Sequence, residues 1–467
     1  MTGKMLINGA LVDGAATLDV INPATGQPFI TVARADQVQL EEAVAAARAA
    51  APGWAALGYA ARGALIARLA DAMAAEQDAL AHLLTTEQGK PLAQAQGEVR
   101  AGIFQLRHYA AQTGEPVVLR ETADCRIVEH RTPLGVVAAI TPWNYPVLMV
   151  TQKIGPALIT GNTVVLKPAP TTPVCALRIA ALAAGIFPAG VLNVIVDAND
   201  LGGALSNHPD VAKVSFTGST ATGRKVMAAG ADSLKRITLE LGGNDAAIVL
   251  DDMDPREIAP KLFNGAMMNA GQVCLAIKRV YAPDAIYDEL CAELARLAKA
   301  ATVDDGTRQG AQIGPVQNRM QFEKLLGYLE DAEANGTVIA GGKPLDRDGY
   351  FIAPTIVRDI PDDARLVREE QFGPVLPVLR YTDVDEVIAR ANTSDYGLGG
   401  TVWGKDLDRA VDVAMKIDSG TVWVNKHLDL PFDIPFGGAK QSGIGREGGD
   451  EGLAAYTQGH VVNIALG

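Results

Sequence analysis

Cysteine is scarce, at four in 467 residues. Cys125, Cys175, Cys274 and Cys291 include no C-x-x-C pair and have no histidine at metal-ligand spacing, which argues against a metal site and against a disulfide framework. Positive charge is also in deficit: 41 Lys and Arg stand against 54 Asp and Glu, for a net charge of −13. With no Lys/Arg run either, a nucleic-acid partner, which needs a basic face, is not expected. No stretch reaches about 18 uninterrupted apolar residues, and the opening MTGKMLINGALVDG has no long apolar core after its lysine, so neither membrane span nor signal peptide is expected and the location expected is cytoplasmic. Aromatics make up only 5% of the chain, whereas 48% is apolar and 20% charged, a composition typical of a globular enzyme. The length exceeds one compact core and implies about two to four domains.

The first hundred residues read as an extended lead-in followed by Ala-rich helices. Asp36 is placed to cap the helix that begins QVQLEEAVAAARAA, with Glu41 and Glu42 early in it, where the macrodipole favours them. A second helix is expected from Tyr59 towards Thr86. From Arg126 onward, short β-rich runs (RIVEHR, LGVVAAIT, TVVLK, VLNVIV, KVSF, RITLEL) alternate with helical stretches, the pattern of a parallel sheet covered by helices. Within it, Thr172 is expected to cap a helix, Pro173 to take its first position and Gly185 to end it. After Asp251 a second alternating set follows, so the expected class is α/β with a domain boundary near residue 243.

Three stretches place a polar group where glycine or proline bends the backbone: TPWNYP (141 to 146), LELGGND (239 to 245) and NAGQVC (269 to 274). Singly, Glu240 reads as a surface carboxylate, Asn144 as a turn residue and Cys274 as packing. Together, a thiol, an amide donor and a carboxylate base would make a covalent acyl-transfer site, the amide facing a developing oxyanion.

The ordered set TPWNYP, GPAL-x-x-GNTVVLKP, FTGST-x-x-G, LELGG, GQVC, EEQFGPV and PFGGAKQSG resembles the NAD(P)-dependent aldehyde dehydrogenases over essentially the whole chain. The resemblance implies a Rossmann-like cofactor-binding domain (1–114 and 134–242), a β oligomerisation arm (115–133 and 455–467), an α/β catalytic domain (243–441) and a return segment (442–454). It further implies that Cys274 attacks the aldehyde carbon, that Asn144 and the Cys274 backbone N–H hold the oxyanion, and that Glu240 activates the water that hydrolyses the thioester. Lys153 and Glu447 match a proposed proton relay and read equally well as a surface ion pair.

On the cofactor side, the resemblance assigns Gly218, Ser219 and Gly223 to the diphosphate, Lys167 to the adenosine ribose, Glu370 and Phe372 to the nicotinamide half, and Trp143 to the cleft, with Gln321 a weaker ribose candidate. The glycine spacing is not the ordinary G-x-G-x-x-G fingerprint, but strand, turn and helix start suit an anion. Two departures stand out. Pro170 occupies the place of a frequent ribose-binding glutamate, so NAD is expected with NADP left open, and VDANDLGG replaces a glycine-rich run.

By position, Tyr145, Met149, Gln152, Val273, Leu275, Leu430 and Phe436 line the substrate pocket. That lining favours an uncharged aliphatic or aromatic aldehyde. Strands around TADCRIVEHR and YTQGHVVNIAL imply a homodimer or homotetramer. Two alternatives stay open: a CoA-acylating aldehyde dehydrogenase, and a cysteine hydrolase without redox chemistry. The hydrolase would want a histidine beside the thiol. Of six histidines (His82, His108, His130, His208, His427, His460) only His427 approaches the motifs, and a solvated loop position is its simpler reading.

Overall fold

Local chemistry sets where the helices begin. The computed structural model describes residues 3–466; residues 1, 2 and 467, included in the expected domain limits, lie outside the described residues. The Asp36 side chain accepts from Gln39 N–H at 2.9 Å and so caps the helix Gln37–Ala56 as expected. The single helix expected from Tyr59 instead breaks at Glu76 into Tyr59–Ala75 and Gln77–Gln88. At that break the Glu76 carboxylate turns to Arg178, whose Nε donates at 2.6 Å, a long-range partner that the helical pattern does not reveal.

A second expectation is corrected nearby. The helix Val174–Ala183 starts after Pro173, not on it, and Thr172 makes no cap bond. The cap comes from another helix: the buried Glu87 carboxylate accepts from Val174 N–H at 2.8 Å and Cys175 N–H at 2.9 Å. Gly185 does follow the helix end in the left-handed conformation, at φ 81°.

The first sheet has eight strands. Five are parallel and run Leu192–Val194, Thr163–Lys167, Val136–Ile140, Val211–Thr217, Arg236–Glu240 in spatial order. The chain therefore builds outward on one side from Val136–Ile140, then crosses to its other side, leaving a switch point between that strand and Val211–Thr217. Ligands of open α/β sheets bind outside the strand carboxyl ends at such a point. Strands VVAAI and TVVLK are buried at every residue, the condition of a parallel sheet covered on both faces.

A second sheet of seven strands begins with Asp245–Val249, five residues after Glu240 ends its own strand. Late in the chain, Gly443–Ile444 returns to pair with Leu239 and Glu240. Separately, Thr457–Ala465, Cys125–Pro133 and Val117–Glu121 form an antiparallel three-stranded sheet. Among the described residues no helix is long and apolar enough to cross a membrane, and no cluster of three His, Cys, Asp or Glu could hold a metal ion.

Candidate active site

The cysteine loop is bent before the thiol is reached. Asn269, Ala270 and Gly271 all take positive φ, at 52°, 55° and 71°. For two non-glycine residues this is strained backbone, which persists only where surroundings hold it. They do: Asn269 N–H donates to Gln94 Oε1 at 3.0 Å, and its Nδ2 donates to Asn144 O at 3.0 Å. Gln272 Nε2 donates to Asn269 O at 2.9 Å, and Gln272 Oε1 accepts from Gln317 N–H at 2.8 Å. At Gly271 a Cβ would stand 2.2 Å from Gly373 O, so the loop passes too close to the neighbouring turn for any side chain.

Two of the expected groups, Asn144 and Cys274, meet on this loop. The Asn144 amide donates to Gln272 O at 2.9 Å, joining TPWNYP to the cysteine loop with one amide hydrogen to spare. Cys274 is half-buried in an apolar cluster with Val273, Leu275, Trp423, Leu428, Leu430, Phe436 and Tyr145. Burial pushes its thiol up to about 12; Lys278 opposes that, while Glu370, Asp245 and Glu240 add to it. Glu240 is buried, and among the described residues neither carboxyl oxygen has a hydrogen-bond partner. Desolvation holds its carboxyl well above the usual range, with the charge of Glu447 adding to the effect and Lys153 and Arg446 opposing it. A buried, unpartnered carboxyl of this kind is suited to taking a proton near neutral pH.

Lys153 and Glu447 are not a surface pair. Lys153 Nζ donates to Glu447 Oε1 at 2.9 Å and to Ser215 Oγ at 3.1 Å, with both side chains almost wholly enclosed. Gln152, placed by sequence in the pocket lining, donates its amide to Glu447 Oε2 at 2.5 Å. His427 is not a solvated loop residue either. It packs edge-on to Trp423 and its Nε2 donates to Leu275 O at 2.7 Å. Burial lowers its imidazole to about 4, so it is neutral at pH 7 and its N–H is engaged away from the thiol.

Several residues of the site carried no signal in sequence spacing. Lys90 Nζ donates to Asn144 O at 3.0 Å, sits 3.8 Å from the centre of the Tyr145 ring and pairs with the buried Glu98. Glu98 Oε1 in turn accepts from Val147 and Leu148 N–H at 2.9 and 3.1 Å, at the start of helix Pro146–Ile159. Lys278 Nζ donates to the carbonyls of Val273, at 2.9 Å, and Cys274. Lys90 and Glu98 reach the site from about fifty residues away, whereas Lys278 folds back from four and five residues along its own chain.

The expected cofactor residues lie along the carboxyl ends of the first sheet and the facing loop. Ser219 caps the helix Thr220–Gly230 by accepting from Thr222 N–H at 3.3 Å, and Gly218 N–H donates to Glu240 O at 3.0 Å. At Gly223 a Cβ would stand 2.5 Å from Leu241, so glycine lets this helix pack close to the strand end. An eleven-residue helix opening beside a switch point offers backbone N–H groups and a positive dipole end to a diphosphate. Lys167 ends its strand and pairs with Asp197 at 2.8 Å. Trp143 meets Phe372 edge-on with ring centres 5.2 Å apart, and Phe372 has φ 53°.

Glu370 accepts from Gly243 N–H at 2.9 Å and lies 3.7 Å from Lys278. Burial raises its carboxyl, with Lys278 and the Gly243 N–H opposing. A Cβ on Gly242 would stand 2.3 Å from Glu370 Oε2, so the paired glycines make room for this side chain. Gln321 is committed elsewhere: its Nε2 donates to Gln371 O at 2.8 Å and Phe372 O at 3.0 Å, which shapes the Phe372 turn and leaves no amide hydrogen for a ribose.

The sequence model of the aldehyde dehydrogenase family matches residues 11–462. A succinate-semialdehyde dehydrogenase using NADP, from Escherichia coli, is 39% identical over 99% of this chain and 98% of its own length. A betaine aldehyde dehydrogenase from Rhizobium leguminosarum is 40% identical over 99% of this chain and 97% of its own. Among solved structures, the NAD complex of an aldehyde dehydrogenase from Bacillus cereus superposes with a TM-score of 0.96 at 38% identity, over 99% of this chain and 96% of that one.

Proposed function

This chain belongs to the aldehyde dehydrogenase family and is an NAD(P)-dependent enzyme, and from that premise we propose that it oxidises an uncharged aliphatic or aromatic aldehyde to the carboxylic acid through an acyl group held on Cys274. The observation that carries the reading is the joining of the Asn144 amide to the strained loop that bears Cys274, together with a buried Glu240 carboxyl that has no hydrogen-bond partner among the described residues.

Attack requires the thiolate, and burial holds the Cys274 sulfur protonated until a base takes the proton. The charge of Lys278 opposes that burial and favours the thiolate, while Glu240 is kept for the hydrolytic step. The sulfur then bonds the aldehyde carbon, and the resulting alkoxide is held by the free Asn144 amide hydrogen and the Cys274 N–H. A bound nicotinamide supplies the acceptor for the hydride leaving that carbon. Water deprotonated by Glu240 cleaves the thioester, and the buried hydrogen-bonded group of Lys153, Glu447 and Ser215 is assigned to relay the proton onward.

For the cofactor, Gly218, Ser219 and Gly223 fit the diphosphate, Lys167 the adenosine ribose, Glu370 and Phe372 the nicotinamide half, and Trp143 the cleft wall. The same reading divides the chain into the cofactor-binding, arm, catalytic and return segments set out from the sequence.

Relatives of nearly equal identity are named for a semialdehyde and for betaine aldehyde, so overall identity does not select the substrate. The lining does. Val273, Leu275, Trp423, Leu428, Leu430 and Phe436 present apolar surface, and the Gln152 amide is held by Glu447. The decisive experiment is an aldehyde panel run with NAD and NADP in parallel, each with and without CoA. Benzaldehyde and medium-chain aldehydes are expected to exceed succinic semialdehyde in kcat/KM by about tenfold or more, the worth of one unmatched charge in an apolar pocket. A wide margin the other way overturns the substrate class, and a product that forms only with CoA overturns the hydrolytic step. Against a plain hydrolase stands His427, whose N–H is engaged by Leu275 O.

The antiparallel sheet exposes Val117, Val118, Leu119, Val461 and Ile464, apolar surface that a partner copy would cover. Light scattering is expected to give a dimer or tetramer; a single species near the chain mass of 48.9 kDa contradicts it.

A further inference from the structure

We propose that Asp197 fixes the cofactor preference of this enzyme by neutralising Lys167 at the adenosine end of the site, so that NAD is bound in preference to NADP. The proposal rests on the dinucleotide-dependent reading above and adds a specificity residue to it.

In a doubly wound sheet the dinucleotide crosses the strand carboxyl ends at the switch point, and its adenosine ribose falls near the end of the unit's second strand. Here the first strand is Val136–Ile140 and the second Thr163–Lys167, with Lys167 its last residue. An unmatched lysine at that place would attract a 2′-phosphate, and Pro170 offers no carboxylate to repel one. On sequence alone the subsite therefore looks open to NADP.

The fold reverses that expectation. Asp197 follows the neighbouring strand Leu192–Val194, and its Oδ1 accepts from Lys167 Nζ at 2.8 Å. Its Oδ2 accepts from Leu201 N–H at 2.9 Å, which fixes the carboxylate in place. The side chains of Lys167 and Asp197 are 5% and 0% exposed, so solvent and salt screen this pair far less than a surface one. The stem of Lys167 is confined as well, since a Cβ on Gly202 would stand 3.4 Å from its Cε. The other cation beside this loop, Arg34, pairs with Asp200 at 2.6 Å, and its strand is tied to the loop by Ala35 N–H donating to Val196 O at 2.8 Å.

Both cations are thus matched by an acid. The subsite has no surplus positive charge for a 2′-phosphate carrying close to two negative charges, while Lys167 keeps N–H groups beyond the one engaged by Asp197 for neutral ribose hydroxyls. The run VDAND, which stands where the family often has glycines, has this electrostatic consequence.

The test is calorimetric titration of ADP-ribose and of its 2′-phosphorylated form into the full-length wild type, Asp197→Asn, and the double variant Lys167→Gln/Asp197→Asn. Asparagine keeps an oxygen for Leu201 N–H and removes the charge. Wild type is expected to bind the unphosphorylated compound about tenfold or more tightly; Asp197→Asn is expected to narrow or reverse that ratio by about tenfold or more, with the gain eroding as salt is raised. The double variant, neutral again, is expected to return towards the wild-type ratio. The NAD to NADP ratio of kcat/KM is expected to follow the same order. Equal or phosphate-favouring binding by wild type overturns the proposal without requiring any variant to fold, and so does a shift of the same size in the single and double variants. Failure of wild type to bind either compound would instead remove the dinucleotide site on which the proposal rests.

Discussion

Replacing Cys274 by alanine is expected to lower aldehyde oxidation by at least about four orders of magnitude, the scale on which removal of a covalent nucleophile is felt. The remaining groups offer no substitute. The Asn144 amide nitrogen is not nucleophilic, the Lys278 ammonium is held against the carbonyls of Val273 and Cys274, and His427 donates to Leu275 O. The substitution removes one sulfur from an apolar cluster, so its cost in stability is about 1 kcal/mol or less. Thermal unfolding should therefore change little while turnover vanishes, and cofactor titration should be unaffected. A variant retaining one per cent of wild-type turnover would rule out acyl transfer through this sulfur. Mass spectrometry of wild type quenched during turnover should show the acyl adduct on the peptide containing Cys274.

Replacing Glu240 by glutamine is expected to separate the two halves of the reaction. The amide has the shape of the carboxyl but cannot take a proton from water, so one equivalent of reduced nicotinamide per site should appear and the steady rate should then fall by about 10²- to 10⁴-fold. Because the wild-type carboxyl is buried without partners and lifted well above its usual range, a pH dependence follows. A base works when deprotonated, and a raised pKa moves the pH at which that happens upward. The wild-type rate should climb with pH through a limb lying above the ordinary carboxylate range, and that limb should be missing from the glutamine variant. Folding should not suffer, since no hydrogen bond to Glu240 is lost. A loss of equal size with no burst would remove the assignment of thioester hydrolysis to Glu240.

Much of this was legible before any coordinates. Alternating β and α runs implied the parallel strands at the heart of the two large sheets, because a strand buried on both faces must be continuously apolar. Gly185 and Asp36 act where expected, since a helix end needs only nearby residues. Thr172 failed as a cap because Glu87 from another helix reaches the same N–H groups, and competition between a local and a distant acceptor leaves no trace in spacing. His427 failed similarly: a loop position looks solvated until Trp423 and Leu275 are found against it.

The sequence by itself determined the chemistry available to this protein: which side chains can attack, donate and accept protons, and in what order along the chain they stand. Only the tertiary structure decided what state those groups are in. The bend at Asn269 and Ala270, the solitude of Glu240, the enclosure of Lys153 with Glu447 and the pairing of Lys167 with Asp197 all depend on partners distant in sequence. The physical reason is that desolvation and charge pairing act through space, over a few ångströms, and chain order carries no measure of that distance.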